Sequence, residues 1–297
     1  MIENLDIVVM IPIGPKYNQD YGNDTIASIN YYLHGSAYII LLVNDSGDPD
    51  FHRNMGQGSN VVIYDVAADQ RRDQRRITFG QLFAKQMAAL KQLTKKYNWQ
   101  CLLRMDDDSL VIGPNPQAEA LAAFAADPRI GMLGAYRYRG DGSNKEKAMA
   151  RKGRLLVLHT LSIIGFRGVA RSVYLAQLIF RALRHGYRLG DMCTGGGLFI
   201  SRAAYDDMAQ LYDSKYDLFT DCKLDDDLLF ALHVAASGRV LEDFSGHDQI
   251  MAINWRGLPV SLVESVVRHK KVIHPVKEPG NPDHEPMVRL FFSQLRK

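Results

Sequence analysis

An α/β fold built on a mostly parallel sheet is the architecture this sequence predicts, on two observations. Short runs rich in Val, Ile and Leu, bounded by Gly, Pro, Asn and Asp, read as buried strands. Between them lie segments whose apolar residues recur at helical spacing, and alternation of the two kinds means helices crossing between parallel strands. DIVVMIPI (6–13), YIILLV (38–43) and VVIYDV (61–66) are the first three strands, with a helix over 23–34 starting at Asn23 or Asp24. Phe79, Leu82, Phe83, Met87, Leu90 and Leu93 draw a helical stripe through 78–96, and CLLRM (101–105) is a strand that runs straight into three aspartates. A helix over 116–127, a strand over 130–136, the strand GGLFIS (196–201) and helices over 202–212 and 225–237 complete the pattern, the last closing at Gly238. No repeat or linker divides the chain, which predicts a single domain in three parts, 1–136, 137–190 and 191–297.

Composition narrows the class. With 297 residues, 46% hydrophobic and 23% charged, the chain can bury a large core, which excludes a disordered or fibrous protein. Cys101, Cys193 and Cys222 are odd in number and contain no CxxC pair, against a disulfide scaffold or a zinc ribbon and in favour of a reducing compartment. MIENLDIVVMIPIG has neither a basic n-region nor a cleavage-site pattern. No run approaches the ~18 uninterrupted apolar residues of a spanning helix. The expectation is a cytoplasmic protein, peripheral at most on the inner face of a membrane.

The net charge of +3 conceals an asymmetry. Between Arg137 and Arg188 stand twelve Lys and Arg against Asp141 and Glu146, a segment of +10 in a chain that is otherwise −7. Within it Leu175, Leu178, Ile179, Ala182 and Leu183 fall on one helical face and Arg181, Arg184 and Arg188 mostly on the other. Basic amphipathic segments lie in membrane interfaces, and an anionic membrane surface is one predicted partner. The competing reading is a helix that packs on its own domain and pairs with its own acids.

In a parallel sheet, ligands bind beyond the carboxyl ends of the strands. That places Asp45 and Asp106–Asp108 on one rim. Asp106 and Asp108 project to the same side of an extended strand end, because side chains alternate with period two. Two carboxylates aimed at one point repel unless a cation sits between them, and a hard divalent ion takes oxygen ligands. Asp225–Asp227 open a later helix, where one or two acids serve as ordinary complements to the helix dipole and a third exceeds that need.

IPIG after the first strand, LLVNDSGD after the second, LLRMDDDSLVIGP, TGGGLFISRAAY (194–205) and LDDDLLFALHVAASGRVLED (224–243) together resemble, in order and spacing, the GT-A glycosyltransferases, of the family-2-like or fringe-like inverting kind. The likeness covers 6–136 and 192–245 and not the basic segment between. It implies a nucleotide-sugar-binding half (1–136), a basic amphipathic insertion (137–190) and an acceptor and catalytic half (191–297). It further implies transfer of a hexosyl or N-acetylhexosaminyl group, from a UDP-sugar, to a glycan or lipid-linked acceptor, with Mn²⁺ or Mg²⁺ as cofactor and no nucleic-acid partner. By the same resemblance Asp106 and Asp108 hold the metal, His274 completes its shell, and Asp106 and Asp107 belong with Ile11, Pro12, Ile13, Asp45 and Arg76 to the donor site. Arg71, Arg72 and Arg75 accompany Arg76 before the 78–96 helix. The base that deprotonates the acceptor hydroxyl is Asp227 or Asp226, the family-2-like register favouring the former and the fringe-like one the latter. Gly195, Gly196 and Gly197 would let backbone approach a sugar closely. Trp255 is read as a sugar platform or, more simply, as a core residue. His269 and His247 are weaker competitors for the metal.

Three other classes compete. A nucleotidyltransferase shares the phosphate and metal logic but carries a glycine-rich loop that IPIGPKYNQD lacks. A non-catalytic membrane- or glycan-binding module would not need two acidic clusters. A phosphohydrolase would need a His/Asp-rich two-metal set that is not present in the sequence.

Overall fold

The apolar run expected at 6–13 forms an eleven-residue strand, β1 (Glu3–Ile13), in a computed structural model that describes residues 2–66, 78–161, 165–212, 215–219 and 222–296. α1 (Gln19–Tyr32), β2 (Tyr38–Asn44), the single-turn α2 (Phe51–Asn54) and β3 (Val61–Asp65) follow. α1 begins earlier than the expected Asn23 or Asp24, because the Asn18 carboxamide oxygen accepts from the Tyr21 amide at 3.1 Å and caps it there. Asn23 instead donates from its side chain to the Asn54 carbonyl at 3.1 Å. α3 (Phe79–Leu93), capped by Thr78, leads to β4 (Tyr97–Arg104), β5 (Leu110–Val111), α4 (Pro116–Ala126) and β6 (Ile130–Ala135). The basic segment makes two helices where one was expected, α5 (Glu146–Leu161) and α6 (Gly165–Arg184). Then come β7 (Thr194–Ser201), α7 (Arg202–Tyr212), a 3-10 turn (Tyr216–Phe219), α8 (Asp226–Ala236), β8 (Val240–Asp243), β9 (Met251–Ile253), α9 (Leu262–Val267), β10 (Val272–His274) and α10 (His284–Gln294).

Seven strands form the main sheet in the order β3-β2-β1-β4-β7-β6-β8. Neighbours run parallel except at β7, which is antiparallel to both β4 and β6. Period-two alternation along β1 sends Val8 and Met10 into one core with Phe83, Leu90 and the apolar side of α8, and Ile7, Val9 and Ile11 into another with Ile26, Ile29 and Phe124. Both faces of the sheet are therefore covered by helices, and ligand access is left to the strand ends.

The reversed direction of β7 is what builds the rim. Arg104, the last residue of β4, pairs with Leu198, so the glycines that open β7 lie beside the carboxyl end of β4. A second sheet, β5-β10-β9, was not legible in the sequence, its strands being two or three residues long. Through it the segment just after the first acidic triplet pairs with the segment that ends in His274.

α5 packs on α6, and α6 on α8. The apolar face read as suited to a membrane interface packs instead on the protein's own core: Leu175, Leu178 and Ala182 are buried and Ile179 partly so, while Leu183 faces outward. Among the described residues no helix is long and apolar enough to cross a membrane.

Candidate functional site

Past Arg104 the chain turns. The Asp106 amide donates to Ser109 Oγ at 3.2 Å, and Ser109 Oγ donates onward to the Gly196 carbonyl at 2.6 Å, tying the acidic turn to β7. From behind, the Asp107 carbonyl accepts from Thr25 Oγ1 of α1 and from Arg289 Nη2 of α10, each at 3.1 Å. The turn is thus held from three elements, and its side chains open into a cleft lined by Asp106–Asp108, Trp255, Arg256, His274 and Lys277.

In that cleft Asp106, Asp108 and His274 each offer a ligand atom within 4.8 Å of the others. His274 Nε2 lies 3.2 Å from Asp108 Oδ1 and 3.4 Å from Asp106 Oδ2. Its Nδ1 pairs with the Asn254 carbonyl at 2.9 Å, the arrangement that orients a ligating imidazole and presents Nε2. Two carboxylates and one imidazole fit a divalent ion of the Mg²⁺ or Mn²⁺ type, whose other positions go to water and phosphate oxygens. The fit is also electrostatic. Burial alone would raise Asp108, but the hydrogen bond and charge of His274, and then Lys277 at 2.7 Å, hold it well below the usual carboxylate range. Burial would lower His274, and Asp108 foremost outweighs it to raise the imidazole. Asp107, by contrast, is pushed up to about 6 by burial and then by its neighbour Asp108.

Behind the turn sits Arg104, 3% exposed, a residue the sequence reading passed over. Its Nη1 lies 2.7 Å from Asp106 Oδ1 and 3.8 Å from Asp227 Oδ1, and its Nη2 donates to Asp226 Oδ2 at 2.7 Å. Gln86 of α3 joins in, accepting from Arg104 Nε at 3.2 Å and donating to Asp226 Oδ2 at 2.9 Å. Burial would weaken the guanidinium's hold on its proton, and the carboxylates of Asp106, Asp226 and Asp227 reverse that. The two acidic triplets are one electrostatic unit with Arg104 between them.

Within the second triplet the three aspartates have separate surroundings. Asp225 pairs with Lys152 of α5. Asp226 is buried and its Oδ2 is bonded twice, by Arg104 and Gln86. Asp227 accepts from the Gly195 amide at 2.7 Å through Oδ2, while its Oδ1 is buried without a hydrogen bond. Burial first, then the charge of Asp226, pushes Asp227 up to about 8 against the pull of Arg104.

The glycines of β7 make this packing possible. A Cβ on Gly195 would stand 2.6 Å from Asp227 Oδ2, and one on Gly196, at φ +92°, would stand 2.0 Å from the His274 ring. Gly197 is closed in by Ile253 and Met251. The close approach they permit is to Asp227, to His274 and to core side chains of the protein itself.

Other expected donor residues lie on the same rim at varying depth. Ile11 and Ile13 are buried and Pro12 partly so, leaving only backbone edges for a ligand. Asp45 is buried at the end of β2 and pairs with Lys85 Nζ at 2.9 Å. Arg71, Arg72, Arg75 and Arg76 lie outside the described residues. Trp255 is no core residue: it is 70% exposed at the cleft, with the Arg256 guanidinium 4.7 Å from its ring centre. His247 and His269 are exposed and outside the Asp106–Asp108–His274 group. Lys277, like Arg104, was missed, and its signal was a lysine three residues past a histidine at the cleft.

No protein-family model matches the chain, and no curated protein matches it. Among solved structures it is similar to a glycosyltransferase involved in glycosylation of the major capsid of PBCV-1, at 11% identity and a TM-score of 0.44 over 96% of this chain and 99% of that one. It is also similar to the galactosyltransferase LgtC in complex with donor and acceptor sugar analogs, at 13% identity and a TM-score of 0.45 over 97% of this chain and 95% of that one. Function has to be argued from the residues of the site.

Proposed function

We propose that this chain is a divalent-metal-dependent glycosyltransferase. It moves a sugar from a nucleotide sugar, with UDP as the carrier, to a hydroxyl of a glycan or lipid-linked acceptor, with inversion at the anomeric carbon. The observation that carries this reading is the pairing, across the buried Arg104, of a cation-binding group with a carboxyl group that ionises near neutrality.

Each half answers one need of the reaction. Asp106, Asp108 and His274 would hold Mn²⁺ or Mg²⁺, which as a Lewis acid would stabilise the negative charge growing on the departing diphosphate. Lys277, 60% exposed and already beside Asp108, adds positive charge at the same rim. Asp227 is the general base: its Oδ1 takes the proton of the acceptor hydroxyl as that oxygen bonds to the anomeric carbon and the bond to the diphosphate breaks. Its neighbour Asp226 positions Arg104 rather than meeting substrate, since its Oδ2 is already bonded twice. The free face of Trp255 offers a platform for a sugar ring.

A binding module gains nothing from a buried carboxyl pushed up in pKa beside a buried guanidinium. Strongly perturbed carboxyls in clefts mark catalytic sites far more than recognition surfaces. The test is thermal stabilisation by nucleoside diphosphates and nucleotide sugars with and without Mn²⁺, followed by anomeric analysis of the product. Absence of any metal-dependent stabilisation by any nucleotide would overturn the reading. Retention at the anomeric carbon would remove Asp227 as base.

A further inference from the structure

We propose that the outward faces of α5 and α6 form a docking surface for an anionic lipid bilayer. The fold uses several cations of the basic segment: Lys145 donates to the Ala135 carbonyl, Lys152 and Arg188 pair with Asp225 and Asp191, and Arg171 is buried. Four on the outward faces of the two helices are left over. Arg151, Arg154, Arg181 and Arg184 are exposed, and none makes an ion pair among the described residues. Asp141 and Glu146 are the only acids between Arg137 and Arg188, so the segment carries a net +10.

Apolar side chains stand among these cations. On α6, Val173, Phe180 and Leu183 share one arc of the helix, opposite the buried Leu175, Leu178 and Ala182. On α5, Leu158 and Leu161 are 63% and 70% exposed. The Arg184 guanidinium lies 5.8 Å from the centre of the Phe180 ring, so charge and apolar surface are offered at one spot. A polyanionic glycan or a nucleic acid needs only the cations. A bilayer interface takes both, the arginines at the headgroups and Leu or Phe at the acyl boundary.

The surface is independent of the catalytic reading, and the test keeps them apart. Full-length protein is floated with vesicles of phosphatidylcholine alone and of phosphatidylcholine with phosphatidylglycerol. Binding should be about 100-fold tighter to the anionic vesicles and released by salt. Arg154→Glu/Arg181→Glu/Arg184→Glu should cost at least about 100-fold. Leu158→Ser/Phe180→Ser, at exposed positions that leave the core intact, should cost about ten-fold or more on anionic vesicles while leaving heparin binding unchanged. Both variants should keep wild-type stabilisation by UDP with Mn²⁺. Equal partitioning onto both vesicles, or onto neither, overturns the proposal. So does unaltered vesicle binding by the serine variant, which would make the face a polyanion site.

Discussion

Asp106–Asp108 and Asp225–Asp227 are the same three residues in a row, and the molecule gives them opposite chemistry. The first triplet follows a strand and opens into a cleft where His274 and Lys277 supply positive charge, so Asp108 stays ionised although it is buried. The second opens a helix and leans on Arg104, which is shared. Arg104 stands 2.7 Å from Asp106 and from Asp226 but 3.8 Å from Asp227. One guanidinium does not neutralise three carboxylates, and burial, then the charge of Asp226, pushes the one left furthest up to about 8. Pairs of acids driven apart in this way are how one site keeps an anion and a base side by side.

The most severe way to break the comparison is to remove what joins the triplets. Arg104→Met leaves Asp226 and Asp227 buried beside each other with no cation, and should lower the unfolding free energy by about 3–5 kcal/mol. Chemical denaturation measures it, and a loss below about 1 kcal/mol, the scale of a surface pair, would mean Arg104 does not couple them. Asp108→Ala should abolish both turnover and Mn²⁺-dependent stabilisation by UDP, and should also lower the metal-free melting temperature, because Asp108 is buried and paired with His274 and Lys277. Persisting Mn²⁺ dependence would place the ion elsewhere.

Asp227→Asn should keep the UDP and Mn²⁺ response and lose about 10²-fold in turnover. The wild-type rate should rise with pH through about 8, and the Asn variant should lack that limb. Stability gives the complementary sign. A carboxyl whose folded pKa is raised binds its proton more tightly folded than unfolded, so its contribution is full below about 4 and is lost as the pH climbs toward about 8. Metal-free wild type should therefore lose stability relative to Asp227→Asn across that window. A parallel pair of curves would show that Asp227 titrates normally.

The gentlest test uses the glycines. Gly196→Ala pushes on His274 and Gly195→Ala on Asp227. The first should weaken Mn²⁺ binding and the second should lower turnover, each by about ten-fold or more, since small displacements at a reacting centre are costly. Calorimetry and steady-state rates separate the two. Equal effects of both substitutions on metal binding would show that the two halves of the site do not act separately.

Local features of the site were legible in the sequence, and features that depend on distant pairing were not. CLLRM running into three aspartates and Asp225–Asp227 before an apolar helix are strings whose meaning needs only strand and helix periodicity. That His274 meets Asp108 depends on a three-residue strand pairing with a two-residue one, too short to show any period. Arg104 carries no local signal in the sequence, because nothing near it shows that two acidic turns close over it. Trp255 was read mainly as core on hydrophobicity alone, yet β9 ends two residues before it and delivers it to the cleft. The β7 glycines were read as room for a sugar, whereas the space beside Gly195 and Gly196 is taken by Asp227 and His274.

Arg289 donates to the Tyr21 carbonyl, the Asp24 carboxylate and Thr25 Oγ1 while also reaching the Asp107 carbonyl, 182 positions upstream. A growing chain therefore carries its aspartates long before it carries the arginine that pins their turn, and His274 too is still to come. A domain generally folds as a unit. The acidic turn therefore gains its hold from Arg289 only when that late segment docks on α1. Competence to bind a metal is then a property the nascent protein acquires only once His274 and Arg289 have emerged.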